Sequence, residues 1–207
     1  MVELQHRAIE PLLLTNFCTA NPAAAVSDFD RPAFSPVKKA VKMALHGDQN
    51  GLCAYCEKPL SSSDGQVDHI KPKGGPDAHA HLCFTYANYA HSCVNNRTCG
   101  QKKKHGLLPI EPGIGCNTQW ALGIDGTIEP VGGLTRTAAH DVRQTRDMLG
   151  LNADSNLVDE RRKWFSRTIE ILQQEPAGIQ IFLQDVPFRH ILATVLGGDR
   201  AGQQQYE

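Results

Sequence analysis

Apolar residues recur at helical spacing in several stretches of the chain and shorten to brief, punctuated pieces in its middle. Val37, Ala40, Val41, Ala44 and Leu45 fall on one helical face. Ser35 is placed to cap that helix, with Pro36 at its first position and Gly47 at its end. Residues 137–149 read as a second helix closed by Gly150. Leu157, Val158, Trp164, Phe165, Ile169 and Leu172 share one face of a longer one, and 179–196 reads as one or two helices broken at Pro187. Gln119–Ile124 and Thr127–Pro130 flank Asp125-Gly126, a β-hairpin pattern. Asn21-Pro22 and the run from Asp28 to Pro32 interrupt any period in residues 1–34, which predicts a loop or loosely packed arm.

From Leu52 to about Ile110 the apolar pieces are too short to bury a core of their own. The expected class is α+β: an N-terminal arm and helix (1–47), a small metal-held module (48–112), and a β-hairpin with a helical C-terminal region (113–207). A chain of 207 residues has room for that arrangement, and its 41% hydrophobic and 21% charged content is ordinary for a soluble protein. No apolar run approaches a membrane span, and the first residues lack a basic n-region followed by an apolar stretch, so a cytoplasmic protein is expected.

Five of the seven cysteines lie between residues 53 and 99, a clustering that favours metal over a spread disulfide framework. Cys53 and Cys56 form a C-x₂-C knuckle, and Cys93 and Cys99 supply a second, wider pair. Four thiolates suit a structural Zn²⁺, whose binding can fold a segment that lacks a core. A redox pair is the competing reading, but it calls for a βαβ setting that is absent around Cys53. Cys18, Cys83 and Cys116 read as ordinary packed cysteines.

Between the cysteine pairs stand Asp68-His69 and, further on, Asn88. A carboxylate suits a hard divalent ion such as Mg²⁺ or Mn²⁺, a neutral imidazole can take a proton from water, and an amide can orient the imidazole. These are the parts a one-metal nuclease requires. An Asp-His pair alone usually marks a surface turn, and on a plain strand the two side chains would part to opposite faces. Their position between the thiol pairs is what gives them weight.

The runs Gly51-Leu52-Cys53-Ala54-Tyr55-Cys56-Glu57, Val67-Asp68-His69-Ile70-Lys71-Pro72-Lys73, Tyr86-Ala87-Asn88 and Ser92-Cys93 resemble the four-cysteine HNH endonucleases. More narrowly, with Cys99-Gly100-Gln101-Lys102-Lys103, Asp125–Pro130 and Met148–Asn152, the chain resembles the HNH component of the Septu anti-phage system, a type found also with some retrons. The likeness runs from about Ala44 to Leu172. It implies a ββα-metal fold, phosphodiester hydrolysis and a partner ATPase of the ABC or SMC-like type. It assigns Asp68 as ligand of the catalytic ion, His69 as general base, Asn88 as the central Asn, and Cys53, Cys56, Cys93 and Cys99 as zinc ligands. Many relatives carry a His or Asn after the fourth cysteine as a second metal ligand, where this chain has Gly100; Asn95, Asn96, His91 and His105 are the candidate substitutes.

Net charge is −1, yet Arg97, Lys102, Lys103, Lys104 and His105 follow the motif and Lys71 and Lys73 flank the Asp-His. Such a stripe can meet phosphates, although charge runs are as a rule solvated faces. DNA is the expected substrate, with RNA such as tRNA the alternative. A non-catalytic zinc-dependent nucleic-acid-binding or docking subunit is the runner-up; it has no use for the Asp68, His69 and Asn88 set. With no G-x-x-x-x-G-K-[ST] loop in the chain, nucleotide sensing is expected from the ATPase, docked on the apolar faces of 157–172 and 179–196.

Overall fold

The computed structural model describes residues 1–202, with α2 (Ser35–Asp48) as the first element that periodicity places correctly. Its Val37, Val41, Ala44 and Leu45 are buried. Ser35 is the first helical residue rather than the cap, and the helix runs through Gly47 to Asp48, leaving the left-handed turn to Asn50 and Gly51 (φ 48° and 74°).

Residues 1–34 are not a loose arm. Leu12–Ala20 form helix α1, and Val26–Asp30 and Pro32–Phe34 form single 3₁₀ turns. Leu14, Phe29 and Phe34 are buried against α2 together with Tyr86 and Tyr89. Met1, Val2 and Leu4 join the larger core, where the Val2 amide donates to the Ala54 carbonyl at 2.9 Å. Short turns offer no 3.6-residue period to read, and α1 lacks a side-chain cap, so tertiary packing rather than propensity holds this segment.

β1 (Gln66–His69) pairs antiparallel with β2 (Tyr89–Ser92), setting Asp68 opposite Ala90 and His69 opposite Tyr89. The five-residue helix α3 (Cys99–Lys103) follows. The expected hairpin is present as β3 (Trp120–Leu122) and β4 (Ile128–Pro130). Thr135 caps α4 (Arg136–Met148) through the Ala138 amide, and Asp154 caps α5 (Ser155–Gln174). The break near Pro187 separates α6 (Ile179–Gln184) from α7 (Arg189–Gly202). Helices with two small antiparallel sheets make the chain α+β. Among the described residues no helix is long and apolar enough to cross a membrane.

Buried Arg161 locks α5 to the hairpin, donating to the carbonyls of Gly126 (2.8 Å) and Leu151 (2.7 Å) and to Asn152 Oδ1 (3.0 Å). Burial lowers its pKa to about 10, opposed by the fields of Cys56 and Glu57. Leu157, Trp164, Phe165 and Leu172, on the face expected to dock a partner, pack inward on the core.

Gly126 has φ 86°, and a Cβ there would lie 2.2 Å from the Val158 carbonyl oxygen. Gly126→Ala is therefore expected to cost about 2 kcal/mol or more, a fall in Tm of roughly 4–8 °C at this chain length. Calorimetry showing the variant melting with the wild type would refute that wedge.

Candidate metal centre and active site

The C-x₂-C knuckle is closed by backbone: the Glu57 amide donates to the Cys53 carbonyl and the Cys53 amide to the Lys58 carbonyl, with Glu57 at φ 60°. Cys93 leaves the end of β2. Cys99, at φ 59°, opens α3, its amide donating to the Leu149 carbonyl at 2.8 Å. Gly150 lies so close to the Arg97 carbonyl that a Cβ would sit 2.2 Å from its oxygen, so the loop between the second cysteine pair is pinned to the turn after α4.

These four thiols converge. The Sγ atoms of Cys53 and Cys99 are 3.8 Å apart, those of Cys56 and Cys93 3.9 Å, and all four lie within 4.8 Å of one another. A tetrahedral Zn²⁺ with bonds of about 2.3 Å sets its sulfurs about 3.8 Å apart. The acidities point the same way. Against burial, which would raise it, hydrogen bonds from Cys56, Cys93 and Cys99 hold the Cys53 thiol low; their tie to Cys53 drives Cys56 and Cys99 up. A cation is what lets all four ionise together. The donor set fits zinc.

Beside the cluster, a cavity of about 370 Å³ is lined by Asp68, His69, Lys73, Gly100, Lys104 and His105 among others. Both residues of the Asp-His pair, at the end of β1, therefore line one cleft. His69 Nε2 lies 2.9 Å from the Cys83 carbonyl oxygen. A carbonyl only accepts, so Nε2 carries the hydrogen and the neutral ring keeps its lone pair on Nδ1. Phe29 and Tyr89 pack edgewise on the ring at centroid distances of 4.5 and 5.1 Å. Burial, with Lys73 and Lys103 nearby, takes its pKa down to about 4, and the Cys83 bond opposes only in part. The imidazole is a neutral base at physiological pH.

The Asn88 side chain makes its hydrogen bonds to backbone and not to His69, contrary to the orienting role expected of it. Its Oδ1 accepts from the Lys71 amide (2.8 Å), and its Nδ2 donates to the carbonyls of Lys71 (3.0 Å) and Leu82 (3.3 Å). It thus ties together the two ends of the loop between β1 and β2. The base is positioned by Cys83, whose part is played by its backbone and is invisible to a reading of side chains.

Two residues without a predicted role in the site hold Asp68. The Tyr55 hydroxyl donates to Asp68 Oδ2 at 2.5 Å, and buried Lys103 Nζ lies 3.2 Å from the same oxygen and 2.7 Å from the His69 carbonyl. Lys103 is accordingly not part of a phosphate-facing stripe. Burial raises the Asp68 carboxyl above its usual range despite Lys103 and Tyr55, and burial beside Asp68 pushes the Tyr55 phenol well up, keeping it a donor. A Cβ on Gly100 would lie 2.8 Å from Gln66 Nε2 and 3.0 Å from Asp68 Oδ1, so a side chain at this position would press on both.

Of the four candidate substitutes, His105 alone lines the cleft. Asn95 bonds Asp154 and the Arg97 amide, and His91 bonds the Asp64 carbonyl. Asn96 is exposed and does not line the cleft. The donor chemistry near Asp68 fits a hard cation taken by one carboxylate oxygen and completed by water and phosphate, as Mg²⁺ accepts.

No family model matches the chain. It is 44% identical over 179 residues to a Vibrio cholerae (serotype O1 biovar El Tor) protein named "Retron Vc95 putative HNH endonuclease", an alignment covering 84% of this chain and 86% of that one.

Elemental analysis of the purified chain is expected to find one zinc per molecule. Cys93→Ser should lower that content and loosen β1, β2 and α3 together, seen as lost amide protection there, because metal affinity is folding free energy at such a site. Folded protein without zinc would sink the assignment.

Proposed function

The chain belongs to the HNH endonuclease family of the retron Vc95 protein, and from that membership we propose that it hydrolyses phosphodiester bonds as the nuclease effector of an anti-phage defence complex. The observation that carries the reading is the His69 ring: neutral, fixed through Nε2 on the Cys83 carbonyl, and lining the same cleft as Asp68. In this reading a water gives its proton to His69 Nδ1 as it attacks phosphorus, and the leaving oxygen departs from the opposite side. Asp68 would hold a Mg²⁺ or Mn²⁺ ion, which would supply charge stabilisation for the scissile phosphate and the leaving oxygen. Tyr55 and Lys103 fix the carboxylate, and Asn88 fixes the loop that carries Lys71 and Lys73. The module is then of the ββα-metal type, with β1, β2 and α3 as its parts. DNA is the preferred substrate in this account, with RNA such as tRNA the alternative.

His69→Ala is expected to lose about 10²- to 10⁴-fold in cleavage rate with zinc content unchanged, the usual worth of a general base, while melting falls somewhat because a buried ring is removed. Asp68→Ala should fail differently, by losing the divalent ion, so that added Mg²⁺ or Mn²⁺ no longer supports cleavage. Cleavage by His69→Ala near the wild-type rate means that another group is the base.

Control by a partner ATPase rests on the absence of a phosphate-binding Gly-rich loop in this sequence and on the family resemblance. Co-expression with the neighbouring ATPase is expected to give a complex that survives physiological salt; the two proteins eluting apart would remove that part of the proposal.

A further inference from the structure

The Asp30 carboxylate is gripped by two ammonium groups from distant parts of the chain. Its Oδ1 lies 3.1 Å from Lys38 Nζ on α2, and its Oδ2 lies 2.6 Å from Lys73 Nζ on the loop after β1. The same two ammonium groups stand over the Phe29 ring, at 4.1 and 4.3 Å from its centroid. Phe29 in turn packs on His69. One anion therefore sits between two lysines at the rim of the cleft that holds Asp68 and His69.

That cleft continues beyond Asp30. A second cavity, of about 650 Å³, is lined by Lys38, Lys39 and Lys42 of α2 and by Ser62 and Ser63, and it shares Phe29, Asp30, Gln66 and Val67 with the first. Together the two present five lysines (Lys38, Lys39, Lys42, Lys73 and Lys104) against the carboxylates of Asp30 and Asp68. A merely solvated lysine face would splay its side chains into water. Here two of them converge on one ring and one carboxylate, although the Asp30 side chain is 65% exposed. An ion pair that open is cheap to exchange.

We propose that Lys38 and Lys73 form a subsite for a backbone phosphate flanking the scissile one, continued along α2 by Lys39 and Lys42, and that Asp30 occupies it as an internal stand-in for phosphate. The inference rests on the cleft being where a nucleic-acid strand is cut. A phosphodiester offers two anionic oxygens where Asp30 offers its own pair, so an incoming strand displaces the carboxylate and inherits both lysines. The strand then crosses the exposed face of α2, far in sequence from the basic run after Cys99.

The test uses the full chain carrying His69→Ala, which holds substrate without cutting it. Binding of short fluorescein-labelled oligonucleotides, as DNA and RNA and in single- and double-stranded form, is followed by anisotropy across a salt series. Lys38→Gln with Lys73→Gln is expected to weaken binding and to lower the slope of log K against log[salt] by about one to two. Lys39→Gln, at an exposed position without an ion pair, should lower the slope by about one and so keeps the test open if the double variant folds poorly. Asp30→Asn should tighten binding roughly two- to fivefold. Asp28→Asn, which removes the same charge from an ion pair with Arg31, should leave it unchanged. Unaltered slopes in the lysine variants, or equal effects at Asp28 and Asp30, overturn the subsite and leave the nuclease reading standing if the wild type cleaves. Failure of the His69→Ala protein to bind any probe at low salt overturns both.

Discussion

The Asp68 side of the candidate active site hangs from the convergence of four cysteine thiols. β1 and β2 pair over only four residues each, and α3 is five residues long. Elements that short are not stable alone. The thiols join the knuckle, the end of β2 and the start of α3 at one point, and that junction brings Lys103 and Gly100 against Asp68. Tyr55, between the knuckle cysteines, reaches the same carboxylate. The structural and the chemical centres are therefore neighbours built on shared residues, and the geometry at Asp68 depends on the integrity of the cluster.

The imidazole is governed by a different element. Phe29 and Tyr89 crowd its faces, the Cys83 carbonyl holds one nitrogen, and the loop supplying that carbonyl is itself tied by Asn88. Burial keeps the ring uncharged, which a base requires, while nearby lysines make protonation costlier still. The N-terminal segment is thus part of the site's construction, since Phe29 comes from a 3₁₀ turn that the larger helices hold in place.

Much of this was legible in the residues. The helices α2, α4 and α5, the Asp125-Gly126 hairpin and the break near Pro187 all follow from periodicity and turn chemistry, because those signals are local. The four-cysteine cluster followed from spacing, and the pairing of Asp68 with His69 in one cleft from their place between the thiols. What escaped was non-local. The first 34 residues pack through contacts that carry no period, Asn88 acts on backbone rather than on His69, and the carbonyl of Cys83 has no sequence signature. Lys38, Lys39 and Lys42 were readable as the polar face of α2, yet only the fold shows that this face borders the cleft. Lys103 was misjudged for the complementary reason: in a run of three lysines, one turns inward to a buried carboxylate.

Gly100 and Asp68 have a consequence for how such a chain can diverge. A side chain at position 100 would crowd Gln66 and Asp68 together, at 2.8 and 3.0 Å from its Cβ, while the carboxylate keeps its place between Tyr55 and Lys103. The two positions are therefore epistatic. A lineage acquiring Asn or His at 100 has to shift Gln66 and the aspartate, and if the aspartate swings away Lys103 keeps only its bond to the His69 carbonyl. Substitutions at 100, 68 and 103 should be inherited as a block, so that any one transplanted alone between relatives meets a site shaped for a different partner.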